Sequence, residues 1–439
     1  MDTVVALLAS LPQQLPDGPQ LLGVVAAVAL LLFIVAKLNG IHALLLPNVH
    51  RPALADVPAM LLRKALLVVH GFFFLLLSSD KVSSKDLRRH HAARANAFQG
   101  GVDREVRVIF IRHGESVWNY VFNRGFGPSF LLRLISTTLH ELCALPIHHA
   151  ALAPGARALA RPTRTRTPPV SVPQTHAPRP RYLTPWEDSA YLDSPLSSLG
   201  LEQCAALQQF LRNPCLDKRV ESDFAALTTG ESYSLVVSSQ LRRAACTAAI
   251  ALSDRLQRSN EAVVLHSSCQ EISRNFDTMA LAPKGRAPQL DRALELRAPA
   301  VNFDGSANQG NKSLRFRGLD RVQDFARWVS DRPETTIIVA GHSLWFRSFF
   351  QAPPPPHALP PPSRGPALPA AGAAPPTPRP ATPQAFLPSE LDHVCKKRKM
   401  VNCGVVGFTL QIGRDADGCE HHRIDPESLA VVYGGFASK

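Results

Sequence analysis

Apolar and polar positions follow two different periods along the chain from residue 104 onward. Runs that are short, apolar and rich in β-branched residues predict buried strands at 106–111, 234–238, 262–266, 336–340 and 404–410. Segments with apolar residues every three or four positions predict helices at 199–211, 242–257 and 319–329. Strands that alternate with helices are typical of βα units. We therefore predict an α/β fold with three layers, αβα, around a mostly parallel central sheet.

The N-terminal region has a different pattern. Residues 21–38 hold sixteen uncharged, mostly aliphatic positions before Lys37, which predicts a membrane segment, with a buried core helix as the alternative. A secretory signal would carry a basic residue ahead of its apolar core, and none precedes this segment. Because the first basic residues follow the segment, the positive-inside rule places the larger C-terminal part of the chain in the cytoplasm.

Two more N-terminal features agree with a membrane. Residues 65–77 form a shorter apolar stretch that either lies in the bilayer interface, forms half of a hairpin or docks as an amphipathic helix. The basic side chains in residues 81–94 suit anionic lipid headgroups. We divide the chain into an N-terminal membrane-anchoring and basic juxtamembrane region, residues 1–103, and one folded domain, residues 104–439.

Two segments of that domain have low complexity. More than half of the 38 prolines fall in or beside residues 143–185 and 353–385, which hold few aromatic residues and predict disordered inserts. They are either linkers or translated non-coding sequence. Without residues 353–385, residues 349–352 would join 386–387 in one helical pattern that Pro388 ends.

Charge and cysteine content narrow the function classes. Much of the net charge of +13 comes from basic clusters in residues 81–94, 157–181 and 396–399. No aromatic residues interleave these clusters and no nucleic-acid-binding motif is present, so we expect no nucleic-acid partner. The 8 cysteines show neither a CxxC pair nor a metal-like spacing to histidines, which predicts reduced thiols and no metal site.

Polar residues follow four of the predicted strands. The first is followed by Arg112 and His113, the second by Arg243, the third by Glu271 and the fourth by His342. Because open α/β sheets bind ligands at the carboxyl ends of their strands, we expect these side chains to meet at one edge. A guanidinium fork clamps phosphate oxygens and an imidazole can attack phosphorus, so the set points to a phosphate ester.

Four motifs carry a family resemblance: RHGESVWN at 112–119, DSPL at 193–196, SSQLRRAACTA at 238–248 and GHS at 341–343. Together they resemble the histidine phosphatase superfamily, in its phosphoglycerate mutase-like branch. The resemblance covers roughly residues 104–142, 186–350 and 386–412, and neither the N-terminal hundred residues nor the two inserts. It implies a reaction that needs neither a metal nor an organic cofactor.

The resemblance also implies roles for individual residues. His113 would be the nucleophile, and the phosphoryl oxygens would be held by Arg112, Arg243 and His342. Gly114, Ser116 and Asn119 would line the phosphate pocket. Glu271 would donate the proton to the leaving group, with Asp277 and Glu115 as rivals. The motif spacing selects Arg243 for the site, so Arg242 would be a surface residue.

The resulting prediction is a membrane-tethered histidine phosphatase that hydrolyses a phosphomonoester through a phosphohistidine. A second set of basic side chains, which would hold the other anionic groups of a sugar-phosphate substrate in a mutase, is not recognisable, and this favours hydrolysis. The alternatives are a phosphoglycerate mutase-type phosphotransferase and a catalytically idle, membrane-bound binding module.

Overall fold

The computed structural model describes residues 57–80, 101–143, 189–213, 215, 217–230, 233–290, 301–315, 317–351, 386–387, 391–414 and 420–437. The predicted membrane segment 21–38, the basic residues 81–94 and nearly all of both Pro-rich inserts lie outside the described residues. Within these ranges, no helix combines the length and the apolar character needed to cross a bilayer. The side chains of six of the 8 cysteines are described, and each is a thiol.

Seven strands form one sheet. They are β1 (Arg104–Arg112), β2 (Ser234–Ser238), β3 (Ala262–Leu265), β4 (Asn302–Asp304), β5 (Thr336–Gly341), β6 (Val405–Arg414) and β7 (Glu420–Tyr433). The order across the sheet is β4-β3-β2-β5-β1-β6-β7. The first five strands in that order are parallel, whereas β6 runs antiparallel to β1 and β7 antiparallel to β6.

The prediction of a mostly parallel sheet is therefore only partly right. Only five residues separate β6 from β7 in the sequence. A parallel pair needs a crossover of about a dozen residues or more, so these two strands pair as antiparallel neighbours. The predictions missed β7, which carries several polar residues along its half-exposed face, and β4, which has only three residues.

Ten helices lie among the described residues. They are α1 (Val57–Leu77), α2 (Val117–Phe122), α3 (Pro128–Cys143), α4 (Ser198–Leu211), α5 (Glu221–Thr228), α6 (Arg242–Ala251), α7 (Ser253–Ser259), α8 (Gly318–Ser330), α9 (Ser343–Gln351) and α10 (Val394–Lys397). The single helix predicted at 242–257 is two helices, because the backbone leaves helical geometry at Leu252 (φ −103, ψ 13).

Two apolar cores cover the two faces of the sheet. Successive side chains of a strand point to opposite faces, and in β1 Phe110 faces one core while Ile109 and Ile111 face the other. Helices α8 and α9 cover the first face, and α4, α5 and α6 cover the second. The predicted αβα layers are confirmed.

Aromatic packing fixes α9 on the first face. The ring of Phe110 stacks on Phe346, with centroids 4.1 Å apart. On the same helix, Phe349 stacks on Phe386 at 4.4 Å. Residues 386–387 form a bend and do not extend α9, so beyond the insert the chain returns to the core without continuing the helix.

Helix α1 lies against the folded domain. Phe74 is buried in a small apolar cluster with Leu192 and Met279, and Gly71 lies against the ring of Phe276. Of the three interpretations of residues 65–77, these contacts fit a docking helix.

Candidate active site

The carboxyl ends of β1 and β5 lie side by side at the centre of the sheet. Their parallel register pairs Arg112 with Gly341, and the backbone N–H of His113 donates to the Gly341 carbonyl at 3.0 Å. The residue after each strand is a histidine, and the ring centroids of His113 and His342 are 5.0 Å apart. The predicted meeting of these two imidazoles is confirmed.

The loop after β1 is held close to the start of α4. A Cβ on Gly114 would meet the carbonyl oxygen of Gly200 at 2.6 Å, and a Cβ on Gly200 would collide with that of Glu115. The backbone N–H of Gly114 donates to Thr247 Oγ1 at 3.1 Å. Only residues without a side chain allow this approach, which fixes the backbone that follows His113.

Two guanidinium groups approach the histidines. Arg112 extends from the end of β1 and donates to the Met400 carbonyl. Arg243 lies in the first turn of α6 and donates to the Asp277 carbonyl at 2.6 Å, with its other terminal nitrogen 3.3 Å from Asp277 Oδ2. Burial lowers the pKa of Arg112 to about 10, so the group stays cationic at neutral pH.

Burial controls the charge of both histidines. The pKa of His113 lies well below its ordinary value because of burial, and the cations Arg243 and Arg112 lower it further. Its Nδ1 lies 2.6 Å from the Gly114 carbonyl oxygen. A neutral ring must donate its Nδ1–H to that carbonyl, which leaves the lone pair on Nε2. Burial, Arg243 and His113 also lower the pKa of His342.

Two carboxyl groups are buried in the same cluster. Burial raises the pKa of Glu271 and that of Asp277, and the charge of Arg243 opposes both increases. Glu271 Oε1 accepts the backbone N–H groups of Ile272 and Trp345, both at 3.0 Å. A buried carboxyl that stays protonated is what proton donation requires. The structure places both candidates together and leaves the choice between them open.

The third candidate, Glu115, has structural partners. Its carboxylate forms two hydrogen bonds with Arg124, at 2.9 and 2.8 Å, and accepts the hydroxyl of Ser197 at 2.7 Å. These bonds commit the Glu115 carboxylate to partners outside the pair of histidines.

Ser116 and Asn119 also have structural partners. The Ser116 hydroxyl caps α2 by accepting the backbone N–H of Asn119 at 3.2 Å. The side-chain oxygen of Asn119 accepts Asn123 Nδ2 at 2.9 Å. The structure assigns neither group to a phosphate, so their place in the pocket stays a prediction.

One prediction about this motif is wrong. Arg242 is 3% exposed, and its guanidinium donates to the carbonyls of Ser189, Leu192 and Asp193. Its backbone N–H donates to Asp193 Oδ1 at 2.8 Å. Motif spacing distinguished Arg243 from Arg242, but it did not reveal that residues 189–193 fold over Arg242.

Several buried polar atoms at this site have no hydrogen-bond partner among the described residues. They are Arg112 Nε, Arg243 Nε, Asp277 Oδ1 and both ring nitrogens of His342. Buried polar groups are normally hydrogen-bonded, so such a set at one place is typical of a ligand site. Two cations and two imidazoles suit an anion with several oxygens. In the described part of the chain, no group of three or more His, Cys, Asp or Glu side chains could hold a metal ion.

No protein-family model and no curated protein matches the sequence. Solved structures are similar to it over most of its length. The ecdysone phosphate phosphatase of Bombix mori in complex with tungstate is 13% identical, with a TM-score of 0.31, and the match covers 76% of this chain and 94% of that one. A mycobacterial glucosyl-3-phosphoglycerate phosphatase is 13% identical, with a TM-score of 0.27 and coverage of 73% and 97%.

Both of these neighbours are phosphatases by name. A mycobacterial hydrolase is also similar, at 14% identity and a TM-score of 0.28, covering 76% of this chain and 100% of that one. Such low TM-scores and identities carry no argument about activity, which has to come from the motifs and the geometry of this chain.

Proposed function

We propose that this protein is a histidine phosphatase that hydrolyses a phosphomonoester through a phosphohistidine intermediate. One observation carries the proposal. His113 is a neutral imidazole whose Nδ1 is held by the Gly114 carbonyl, and it is surrounded by Arg112, Arg243 and His342. The arrangement leaves Nε2 as a nucleophile among groups that bind phosphoryl oxygens.

The reaction has two steps. His113 Nε2 attacks phosphorus, the bond from phosphorus to the ester oxygen breaks, and Glu271 or Asp277 gives its proton to that oxygen. Water then attacks the phosphohistidine while the same carboxylate takes a proton from it, which releases phosphate and restores the neutral imidazole. The guanidinium groups stabilise the charge on the phosphoryl oxygens in both transition states.

The proposed mechanism predicts a specific pH dependence. His113 must be neutral and the donor carboxyl must be protonated, and at their ordinary pKa values these two forms barely coexist. Burial lowers the pKa of His113 and raises that of Glu271 and Asp277, which widens the pH range in which both forms are present. We expect kcat/KM to decrease as pH falls through the histidine pKa and as pH rises through the carboxyl pKa.

A profile of kcat/KM against pH for three proteins tests this expectation. Glu271→Gln removes the decrease at high pH if Glu271 is the donor, and Asp277→Asn removes it if Asp277 is. A high-pH limb that survives in both variants contradicts proton donation by either group.

We further propose that the phosphatase is tethered to a membrane through residues 21–38, with the folded domain in the cytoplasm. The exposed surface of α1 and of the α3 region supports this. On α1 the exposed large apolar side chains are Leu62, Leu66, Val68, Val69, Phe72, Phe73, Leu76 and Leu77. In and before α3 they are Phe126, Leu131, Leu132, Ile135 and Leu139. Apolar surface of this extent on one pair of helices is typical of an interaction face, and basic residues 81–94 follow α1 in the sequence.

The tether is testable by extraction. We expect the full chain to float with anionic vesicles and to resist alkaline carbonate, because residues 21–38 are inserted. Val28→Arg combined with Leu31→Arg should release it, since each buried arginine costs about 2.5–3.5 kcal/mol at the centre of a span. Val431→Arg, on the exposed β7, is the matched control and should stay bound. An unaltered chain that remains in the soluble fraction contradicts the tether.

A further inference from the structure

A buried carboxylate just beyond α1 is bound by two cations. Asp80 is 1% exposed. Its Oδ2 lies 2.6 Å from Lys312 Nζ, and its Oδ1 lies 3.0 Å from a terminal nitrogen of Arg321. The side chain of Lys312 is 0% exposed and that of Arg321 is 1% exposed. All three charges lie in the interior, and no step of the proposed reaction uses them.

Both cations also form hydrogen bonds with the backbone around Glu271. Lys312 Nζ donates to the carbonyls of Glu271, at 2.6 Å, and Ser273, at 2.7 Å. Arg321 donates to the Glu271 carbonyl at 3.2 Å. Asp80 also contacts this segment directly, since its Oδ2 accepts the backbone N–H of Ser273 at 3.3 Å. The carboxylate is therefore one residue removed from Glu271, one of the two candidate proton donors, by two routes.

Asp80 is what holds these cations in place. A buried cation without a counter-ion is strongly unfavourable, and it moves toward water or loses its proton. Burial lowers the pKa of Lys312 to about 8, and Asp80 is the largest influence that raises it. Without the carboxylate, Lys312 would give up charge and Arg321 would lose the carboxylate of its ion pair, so both would bind the Glu271 carbonyl less firmly.

We propose that Asp80 is a positioning residue for proton donation: it acts through Lys312 and Arg321 to hold Glu271 at the leaving group. It touches no reacting atom. The proposal rests on the proposed phosphatase activity and deepens it, because it makes the segment that follows α1 a part of the catalytic unit. Its side-chain contacts are with Lys312, Arg321 and Ser273, and it reaches the phosphate clamp only through the charge of Lys312, which lowers the pKa of His342.

Phenyl phosphate and p-nitrophenyl phosphate, which differ in one nitro group, distinguish a loss of proton donation from a general loss of stability. p-Nitrophenolate leaves without a proton, whereas phenolate from phenyl phosphate leaves far more readily with one. We expect Asp80→Asn to lower kcat on phenyl phosphate by about 10- to 100-fold, a part of the 10²- to 10⁴-fold that a positioned acid contributes. On p-nitrophenyl phosphate we expect a decrease of less than about 3-fold, with KM little changed on both.

Two further variants serve as references. Glu271→Gln should lower the ratio of kcat on phenyl phosphate to kcat on p-nitrophenyl phosphate, and by more than Asp80→Asn does. Asp392→Asn is the matched control, because its carboxylate forms an exposed ion pair with Lys397 and its side chain is 70% exposed. It should leave both rates unchanged.

The outcomes are distinct. Equal losses on both esters, or no loss on either, overturn the positioning role. If Asp80→Asn does not fold, Asp80→Asn combined with Arg321→Gln removes one charge of each sign. An unaltered ratio in that folded double variant also overturns the proposal. If instead His113→Ala hydrolyses both esters as fast as the unaltered chain, the phosphatase proposal itself fails.

Discussion

Replacing His113 with alanine lowers kcat for phosphate release by about 10⁴- to 10⁶-fold, the range that removal of a catalytic nucleophile produces. The reason is the geometry of the ring. Its Nδ1 is committed to the Gly114 carbonyl and its pKa is lowered by burial, so Nε2 is a nucleophile at neutral pH. His342 keeps its place beside the site, but neither of its ring nitrogens has a comparable carbonyl contact among the described residues.

Phosphate release is measured on a panel of phosphopeptides, sugar phosphates and lipid phosphates. His70→Ala, at an exposed histidine of α1, is the control and should be fully active. Rapid quenching of the unaltered enzyme should trap a phosphorylated protein that is stable in alkali and labile in acid, and His113→Ala should not form it. Full phosphate release by His113→Ala would contradict the mechanism. Isomerised ester without free phosphate would instead identify a mutase, and no turnover by the unaltered chain would favour the idle module.

Arg243→Gln gives the second large effect, a decrease in kcat of about 10²- to 10³-fold, as when one preorganised donor to a transition-state anion is removed. Arg243 is 1% exposed and its Nε has no partner among the described residues. Its charge also lowers the pKa of both His113 and His342. Loss of the guanidinium should therefore also move the low-pH limb of the kcat/KM profile to higher pH.

The neighbouring arginine provides a matched comparison. Arg242→Gln removes hydrogen bonds to residues 189–193 and leaves the phosphate clamp intact, so we expect a loss of about 3 kcal/mol in the free energy of unfolding. The kcat of the folded fraction should change by less than about 3-fold. Denaturant unfolding and steady-state kinetics on both variants check this. A larger kinetic effect for Arg242→Gln than for Arg243→Gln would reverse the assignment.

Much of the site was predictable because it follows from local rules. Each predicted strand ends where its apolar run ends, and the residues directly after it must lie at the sheet edge. This is why Arg112, His113 and His342 were assigned correctly to one place. Arg243 and Glu271 come several residues after their strands. Arg243 acts electrostatically on both histidines, and Glu271 is coupled to Arg112 and Arg243.

The predictions that failed concern contacts between distant segments. The burial of Arg242 depends on residues 189–193, which fold across it. The antiparallel edge depends on the pairing of β6 with β7, and β7 shows only a weak alternation of polar and apolar residues. The roles of Asp80 and Lys312 have no local signal at all, because 232 positions separate them in the sequence.

The sequence by itself determined the αβα layers, the order of the strand-end motifs and the chemical types that meet there, since these depend on periodicity and on the residue that follows each strand. Only the tertiary structure decided which carboxyl groups are buried, which histidine nitrogen is left for attack and which charges support Glu271. Those properties depend on the hydration free energy that each polar group loses on burial and on the interaction free energy that it gains from a partner. The partners come together only when the whole domain has folded.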